Sequence, residues 1–191
     1  HCTSSAASDV YKRQDNNRIN YLSILHKKVF EGTIATTLMT NNLSRLYILL
    51  IKNNIISVNV AFDEDENFLG ALTVKMNSLN VRANFIDTLK IIFILFQGLL
   101  LHPFVWIREY YYKIGLYKGV DSKINIITLF VDTDYQGKGV GEQLVKNIKE
   151  QYKTKISVDT RSDNQMAIDF YIKHGFVLKN QNIRNTSLLY G

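Results

Sequence analysis

The residues best suited to chemistry lie in a glycine-rich segment, 136–141 (QGKGVG), between an apolar run at 126–131 and an amphipathic helical pattern. Small residues let a ligand approach the backbone, and the N–H groups at the start of a helix, together with the helix dipole, attract anions. Lys138 adds a positive charge within the segment. The order of strand, glycine turn and helix therefore predicts a site for a phosphate group.

The spacing of the glycines disfavours two common classes of phosphate site. The loop of nucleoside triphosphatases needs a Lys-Ser or Lys-Thr pair after the glycines, and none follows here. A dinucleotide fingerprint needs a third glycine at another place and an early βαβ unit, and both are missing. A different phosphate-bearing ligand is indicated.

A second regularly spaced segment follows. Residues 155–160 (KISVDT) predict a strand, and residues 162–165 (SDNQ) have the form of a capping box that opens a helix. Gly175 ends this helix, and residues 176–178 begin another strand. The apolar face of the helix consists of Ala167, Ile168, Phe170 and Tyr171.

Together the two segments resemble the GNAT-type N-acetyltransferase superfamily. The QGKGVG segment is similar to its Q/R-x-x-G-x-G/A signature. The second segment is similar to its N-x-x-A-x-x-F-Y-x-x-x-G-F block, which here runs from Asn164 to Phe176. The resemblance is specific over residues 124–178 and weaker but consistent upstream.

The resemblance implies an α/β (α+β) fold, the acyl-CoA N-acyltransferase fold, in which helices flank a mixed, V-shaped central sheet. Strands 126–131 and 156–160 would splay apart, with the pantetheine arm of the cosubstrate acetyl-CoA in the gap. Backbone groups of Phe130 and Val131 would pair with the pantetheine amides, and the glycine segment would hold the pyrophosphate. The implied cofactor-binding residues are Phe130, Val131, Gln136, Gly137, Lys138, Gly139, Val140, Gly141, Asn164, Ala167, Phe170 and Tyr171.

The implied chemistry is direct attack of a primary amine on the thioester. Tyr171 matches the usual general acid, which returns a proton to the coenzyme A thiolate; the alternative is that Tyr171 only packs against the cofactor. Asn125 stands where some members carry a glutamate base, so we expect a water path or another carboxylate, such as Glu109 or Asp132.

The histidines predict no metal site. His26, His102 and His174 have no partner at ligand spacing, so we expect no metal. We expect His26 to be exposed or half-buried, and His174 to serve on the surface or as a helix cap.

The residues upstream predict two helices and a hairpin. Leu22, Leu25 and Val29 recur at helical spacing, and Asn41 or Asn42 could cap a second helix over residues 43–51. Alternating apolar residues at 56–62 and 68–76 predict two antiparallel strands. The acidic turn between them (DEDEN) lacks the spaced ligands and the glycine of a calcium loop, which favours a solvated turn.

Residues 89–106 (LKIIFILFQGLLLHPFVW) form the most apolar stretch, within an expected insertion at 81–120. His102 and Pro103 interrupt it before the ~20 apolar residues of a spanning helix, so we expect no transmembrane span but a core, lid or interfacial helix that Pro103 ends. The aromatic cluster beyond it could line an acceptor pocket, contact a membrane or form a half-buried connector; it comprises Trp106, Tyr110, Tyr111, Tyr112 and Tyr117.

The length of 191 residues favours one domain, residues 15–191. Residues 1–14 resemble translated sequencing-adapter read-through, so we expect them to be non-native. The short tail 182–191 leaves room for only part of a last strand. The single cysteine, Cys2, fits a reducing compartment, and we expect a cytoplasmic location.

The net charge of +6 comes from scattered lysines and arginines, so we expect no nucleic-acid partner. The expected partner is an amine acceptor, either a small molecule, an amino sugar or a peptide, and a homodimer is possible. Two alternatives remain open: a coenzyme A-binding sensor or structural module without turnover, and a membrane-associated acyltransferase that docks through residues 89–117.

Overall fold

The computed structural model describes residues 16–30, 32–76, 84–113, 120 and 122–191. The segment 1–14 that we predict to be non-native lies outside the described residues, as do residues 81–83 and 114–119 of the expected insertion, including Tyr117. The described residues form a mixed six-stranded sheet with helices on both faces, which confirms the predicted fold class.

The sheet has the strand order β1-β2-β3-β4-β6-β5. Only β3 and β4 are parallel neighbours; the other neighbouring pairs are antiparallel. The strands are β1 (Ile56–Phe62), β2 (Phe68–Met76), β3 (Ile124–Val131), β4 (Ile156–Arg161), β5 (Val177–Gln181) and β6 (Asn185–Tyr190). The predicted hairpin is therefore confirmed as β1 and β2.

The tail, residues 182–191, contains the paired strand β6. β6 pairs with β4 from Ile156↔Tyr190 to Arg161↔Asn185. A tight turn precedes β6, where the side-chain oxygen of Asn182 accepts hydrogen bonds from the amides of Arg184 and Asn185, both at 2.8 Å.

One face of the sheet carries α1 (Asn16–Val29), the single turn α2 (Ile34–Thr37) and α3 (Thr40–Lys52). α3 begins before the predicted caps: Met39 is its N-cap and makes no side-chain cap bond. Asn42 lies inside the first turn and donates from Nδ2 to Oε1 of Gln97 at 2.9 Å, so a tertiary contact takes the side chain that we expected to cap the helix.

The other face carries α6 (Val140–Tyr152) and α7 (Gln165–Lys173). Leu144 and Ile148 of α6 are buried against the strands, as their spacing predicts. The predicted capping box, which begins at Ser162, does not form. Asn164 is the N-cap of α7, and its Oδ1 accepts a hydrogen bond from the amide of Ala167 at 3.2 Å. Ser162 instead donates to the carbonyl of Asn182 at 2.6 Å.

Two further helices occupy the expected insertion: α4 (Phe85–Leu101) and α5 (Pro103–Lys113). The expected terminator, Pro103, is the first residue of α5, where its missing N–H breaks no helical bond. Residues 103–113 are therefore helical. Among the described residues no helix is by itself long and apolar enough to cross a membrane. Taken together, α4 and residues 103–110 have sufficient length and apolar composition, but the two helices are bent by 108°.

Candidate active site

A gap opens where β3 and β4 part. They are paired at only three positions, from Ile124↔Ile156 to Ile126↔Val158, and beyond these β3 continues along β2 while β4 continues along β6. The β2–β3 register shifts at the same point, so that Ile127 is an extra residue in β3. A bulge bends and twists its strand, which accounts for the splay.

The backbone of β3 directs hydrogen-bonding groups into this gap. The amide of Asp132 donates to the carbonyl of Leu69 on the β2 side at 2.8 Å. Because alternate residues of a strand direct their backbone groups to opposite sides, those of Phe130 also face β2, and those of Leu129 and Val131 face the gap. The carbonyl of Val131 accepts from Nε2 of Gln136 at 3.2 Å on that side. Val131 thus reaches the gap through its backbone, whereas the Phe130 side chain is buried in the core.

Gly70 sets the spacing of the other wall. It lies opposite Val131 in β2. A Cβ at this position would lie 2.6 Å from the carbonyl oxygen of Phe130 and 3.0 Å from Cα of Val131. Only glycine lets β2 approach β3 this closely at the end of the gap.

The glycine segment forms an exposed turn between β3 and α6. Gly137 and Gly139 have φ values of +74° and +83°, in the left-handed region that favours glycine. A Cβ at either position would meet nothing within 4 Å, so the space beside the turn is open. Lys138 is exposed, with its Nζ 5.0 Å from the centre of the Tyr135 ring.

The start of α6 supplies free amides next to this turn. The amide of Gln143 donates to the carbonyl of Gly139 at 3.0 Å. The amides of Val140, Gly141 and Glu142 precede that bond and have no carbonyl within the helix to which they can donate. Backbone amides of a left-handed turn and a helix N-terminus can together bind an anion.

Three of the predicted site residues meet where the gap reaches α6. A Cβ on Gly141 would lie 3.6 Å from two ring atoms of Phe170 and 3.7 Å from Cγ2 of Val131. Ala167 packs partly buried against the same core. The fold therefore brings β3, the glycine segment and α7 together, although Asn164 uses its side-chain oxygen to cap α7.

Tyr171 lies behind Phe170 and is only 5% exposed. Its ring contacts the rings of Phe170 and Phe176, with centroids 5.2 Å apart in both cases. Burial raises the pKa of the Tyr171 hydroxyl well above its ordinary value. The hydroxyl is therefore protonated near neutral pH, as an ordinary tyrosine also is, and burial makes it a weaker acid than usual.

The residues considered for the base lie in different surroundings. Asn125 is at the closed end of the gap, where its Nδ2 donates to Oγ of Ser157 at 2.8 Å. Asp132 follows β3, and its Oδ1 is 3.0 Å from Nζ of Lys28. Partial burial raises the pKa of Asp132, but its hydrogen bonds with Lys28, the Asp134 amide and the Thr133 hydroxyl, and the Lys28 charge, outweigh burial and hold the pKa below the usual value. Asp132 is therefore a weak base.

Glu109 lies on α5, a helix that packs against α2 and α4. Its half-buried carboxylate is 3.5 Å from the guanidinium of the neighbouring Arg108. Glu109 thus belongs to the helical layer formed by the insertion and not to the strands that line the gap.

His174 is the C-cap residue of α7, in agreement with the expected cap role. Its Nδ1 lies 2.7 Å from the carbonyl oxygen of Phe170, and the two rings are 4.4 Å apart. Among the described residues no group of three or more His, Cys, Asp or Glu side chains could hold a metal ion.

His26 differs from its prediction. It is buried, only 7% exposed, and its Nδ1 lies 2.6 Å from the hydroxyl of Tyr47. The centre of its ring lies 5.5 Å from that of Phe130, so His26 packs against the β3 side chain that faces away from the gap. The signal was present in the sequence, because His26 continues the helical stripe of Ile19 and Leu22 at i+7 and i+4.

Comparison with known proteins supports the resemblance. Residues 104–176 match the model of the acetyltransferase (GNAT) family. No curated protein sequence matches the chain significantly.

Several solved structures have the same fold. A chimera of the spermidine N-acetyltransferase SpeG from Vibrio cholerae is 14% identical, with a TM-score of 0.58 over 94% of this chain and 92% of that chain. A protein from Corynebacterium glutamicum described as histone acetyltransferase and related acetyltransferase is 13% identical, with a TM-score of 0.59 over 94% and 92%. An acetyltransferase from Thermus thermophilus is 13% identical, with a TM-score of 0.53 over 89% and 90%.

Proposed function

Because the chain has the fold of the GNAT acetyltransferases and residues 104–176 match that family, we propose that it transfers an acetyl group from acetyl-CoA to a primary amine of a small molecule, amino sugar or peptide. One observation carries the proposal: the gap between β3 and β4 leads directly to the open amides of the glycine segment. An extended amide-bearing arm that ends in a pyrophosphate matches this arrangement.

The residues present fit acetyl-CoA, which supplies an activated acetyl thioester when bound. In the gap, backbone groups of Val131 would pair with the pantetheine amides, whereas the buried Phe130 side chain supports β3 from behind. The amides of residues 136–141 would bind the pyrophosphate, and the positive charge of Lys138 adds to this attraction. Asn164 and Ala167 shape the start of α7, and Phe170 lies against the glycine segment.

Tyr171 takes the part of the general acid in this proposal. The amine nitrogen bonds to the acetyl carbon while the carbon–sulfur bond breaks, and the proton of Tyr171 goes to the sulfur. Backbone amides that face the gap stabilise the negative charge that develops on the carbonyl oxygen. The burial that raises the pKa of Tyr171 makes the free hydroxyl a weak acid, so the proton transfer depends on the basicity of the departing thiolate.

The amine must lose a proton before it attacks. Asn125 has no basic form, and Lys28 and its companion hydrogen-bond donors hold Asp132 as a weakly basic carboxylate. Glu109 belongs to the helical layer of the insertion, so we assign this proton to a water path.

The test measures thiol release from acetyl-CoA with a panel of primary amines. Tyr171→Phe should lower kcat by about 100-fold or more, as expected for loss of a general acid, and leave coenzyme A binding within about two-fold. Tyr152→Phe, on the half-buried end of α6, is the matched control and should keep its activity. Full activity of Tyr171→Phe would remove Tyr171 from the mechanism.

The absence of a strong carboxylate base at Asn125 and Asp132 also favours a second candidate, a coenzyme A-binding module without turnover. Tight coenzyme A binding by the parent, with no acetyl transfer to any amine of the panel, would support this candidate over the enzyme.

A further inference from the structure

A wide arc of the outward surface of α4 is apolar. At about 100° per residue, an arc of about 140° on this helix carries only large apolar side chains. Phe85 is 75% exposed, Phe93 61% and Leu100 64%. The α4 apolar face consists of Phe85, Ile86, Leu89, Ile92, Phe93, Phe96, Leu99 and Leu100.

The inward surface of the same helix carries its one acidic group. The buried residues of α4 are Asp87, Ile94 and Gly98. Oδ2 of Asp87 accepts from Nζ of Lys52 at 2.8 Å and from Nδ2 of Asn53 at 3.1 Å. A helix that buries its one carboxylate and exposes three phenylalanines is adapted to a surrounding other than water.

We propose that the α4 apolar face docks onto the surface of a bilayer that contains anionic phospholipids. This inference is independent of acetyl transfer, because it rests on a surface that the gap and the glycine segment do not use.

Charge at the edge of the face selects this partner. Arg45, Lys90 and Phe93 line one groove between α3 and α4, with a volume of about 440 Å³, so two cations stand beside the apolar arc. The acidic group of α4, Asp87, is buried, is bonded to Lys52 and lies 4.0 Å from Nζ of Lys90, whose side chain is 61% exposed. Cations flanking an apolar face attract anionic headgroups.

The apolar exposure continues across a sharp bend between α4 and α5. The two axes meet at 108°, which prevents the two helices from forming one straight span. α5 continues the apolar exposure beyond the bend, since Phe104 is 84% exposed and Ile107 63%. A helix of this kind lies in the interface, with its apolar side chains among the upper acyl groups.

The test is co-sedimentation of the full chain with vesicles of phosphatidylcholine alone or with phosphatidylglycerol. The chain should pellet with the anionic vesicles and bind the neutral ones several-fold more weakly. Phe93→Glu/Leu100→Glu should weaken binding to anionic vesicles by about ten-fold or more, because two exposed anchors are lost and two negative charges are gained. Arg45→Gln/Lys90→Gln should weaken it by about five-fold or more for each cation, with a smaller dependence on salt.

The matched control is Tyr21→Glu/Ile183→Glu, which adds the same charges at exposed apolar positions outside α4. It should bind vesicles within about three-fold of the parent, as allowed for two added charges remote from the interface. Circular dichroism establishes that each variant is folded. Parent chains that stay in the supernatant with anionic vesicles would overturn the proposal. So would parent chains that form a dimer which Phe93→Glu/Leu100→Glu separates, without lipid binding.

Discussion

Acid should destabilise this protein between pH 7.5 and pH 5 through one buried histidine. Burial of His26 beside Tyr47 and Phe130 lowers its pKa from 6.5 to about 4. In the unfolded chain the imidazole regains its ordinary pKa, so over this range the unfolded state binds more protons than the folded state. The contribution of neutral His26 to the unfolding free energy is therefore fully present above pH 6.5, and it is lost as the pH falls from 6.5 toward 4.

The size of the effect follows from the two pKa values. A full difference from 6.5 to about 4 corresponds to about 3 kcal/mol of unfolding free energy, and about 2 kcal/mol of it should be lost between pH 7.5 and pH 5. The depressed carboxyl groups, such as Asp132, contribute at lower pH, because their unfolded pKa is near 4.

Urea unfolding followed by circular dichroism at pH 7.5, 6.5, 5.5 and 5 measures this loss. His26→Gln keeps a polar group next to the Tyr47 hydroxyl but does not titrate, so its unfolding free energy should change with pH by about 2 kcal/mol less than that of the parent over the same range. Lys27→Gln, the neighbouring exchange on α1, should keep the parental pH dependence. Equal pH dependence of His26→Gln and the parent would refute the assignment to His26.

Other changes test the strand wall and the carboxylate at its end. Gly70→Ala should lower the unfolding free energy by about 1–3 kcal/mol, because its Cβ would lie 2.6 Å from the Phe130 carbonyl oxygen. Gly137→Ala should lower the unfolding free energy by about 1 kcal/mol through its positive φ alone, because the space beside it is open. If urea unfolding shows that Gly70→Ala lowers the unfolding free energy by less than Gly137→Ala does, the close approach of β2 and β3 is contradicted. Lys28→Met should move the pKa of Asp132 up toward its ordinary value in a carboxyl NMR titration, and an unchanged pKa would show that Lys28 has no part in the shift.

The sequence predicts best where the local pattern and the tertiary contacts agree. The helix at Val140 and the hairpin around residues 63–67 form as their periodicity indicates. In the hairpin, Asp63 accepts from the amides of Asp65 and Asn67, so the turn closes by local bonds that a sequence pattern can reveal. The order of strand, glycine turn and helix at residues 124–152 is likewise set by residues that are close in sequence, so the sequence pattern reveals it.

Helix boundaries are predicted less well, because distant residues compete for the capping side chains. Ser162 has the capping-box spacing, but its hydroxyl donates to Asn182, and Asn164 caps α7 instead. Asn42 likewise donates to Gln97 and does not cap α3. These partners lie 20 and 55 residues away in sequence, beyond the reach of a local pattern.

The burial of His26 and the exposure of α4 are tertiary properties. The position of His26 on the apolar stripe of α1 is compatible with burial. Burial also requires a hydrogen-bonding partner for the imidazole, and the sequence does not show that Tyr47 is that partner. The apolar run of residues 89–101 predicts a helix correctly, but only the fold shows that its inward side is held by Asp87 and that its phenylalanines point outward.

Isothermal titration of the parent and of Gly139→Glu with acetyl-CoA and coenzyme A tests the phosphate site most directly. The parent should bind both ligands, and Gly139→Glu should bind at least about ten-fold more weakly, because it places a carboxylate and a strained φ of +83° in the anion-binding turn. Gln151→Glu, an exposed exchange of the same charge at the far end of α6, should bind like the parent. A folded parent that binds neither ligand, or a folded Gly139→Glu that binds as tightly as the parent, would contradict a coenzyme A site at residues 136–141.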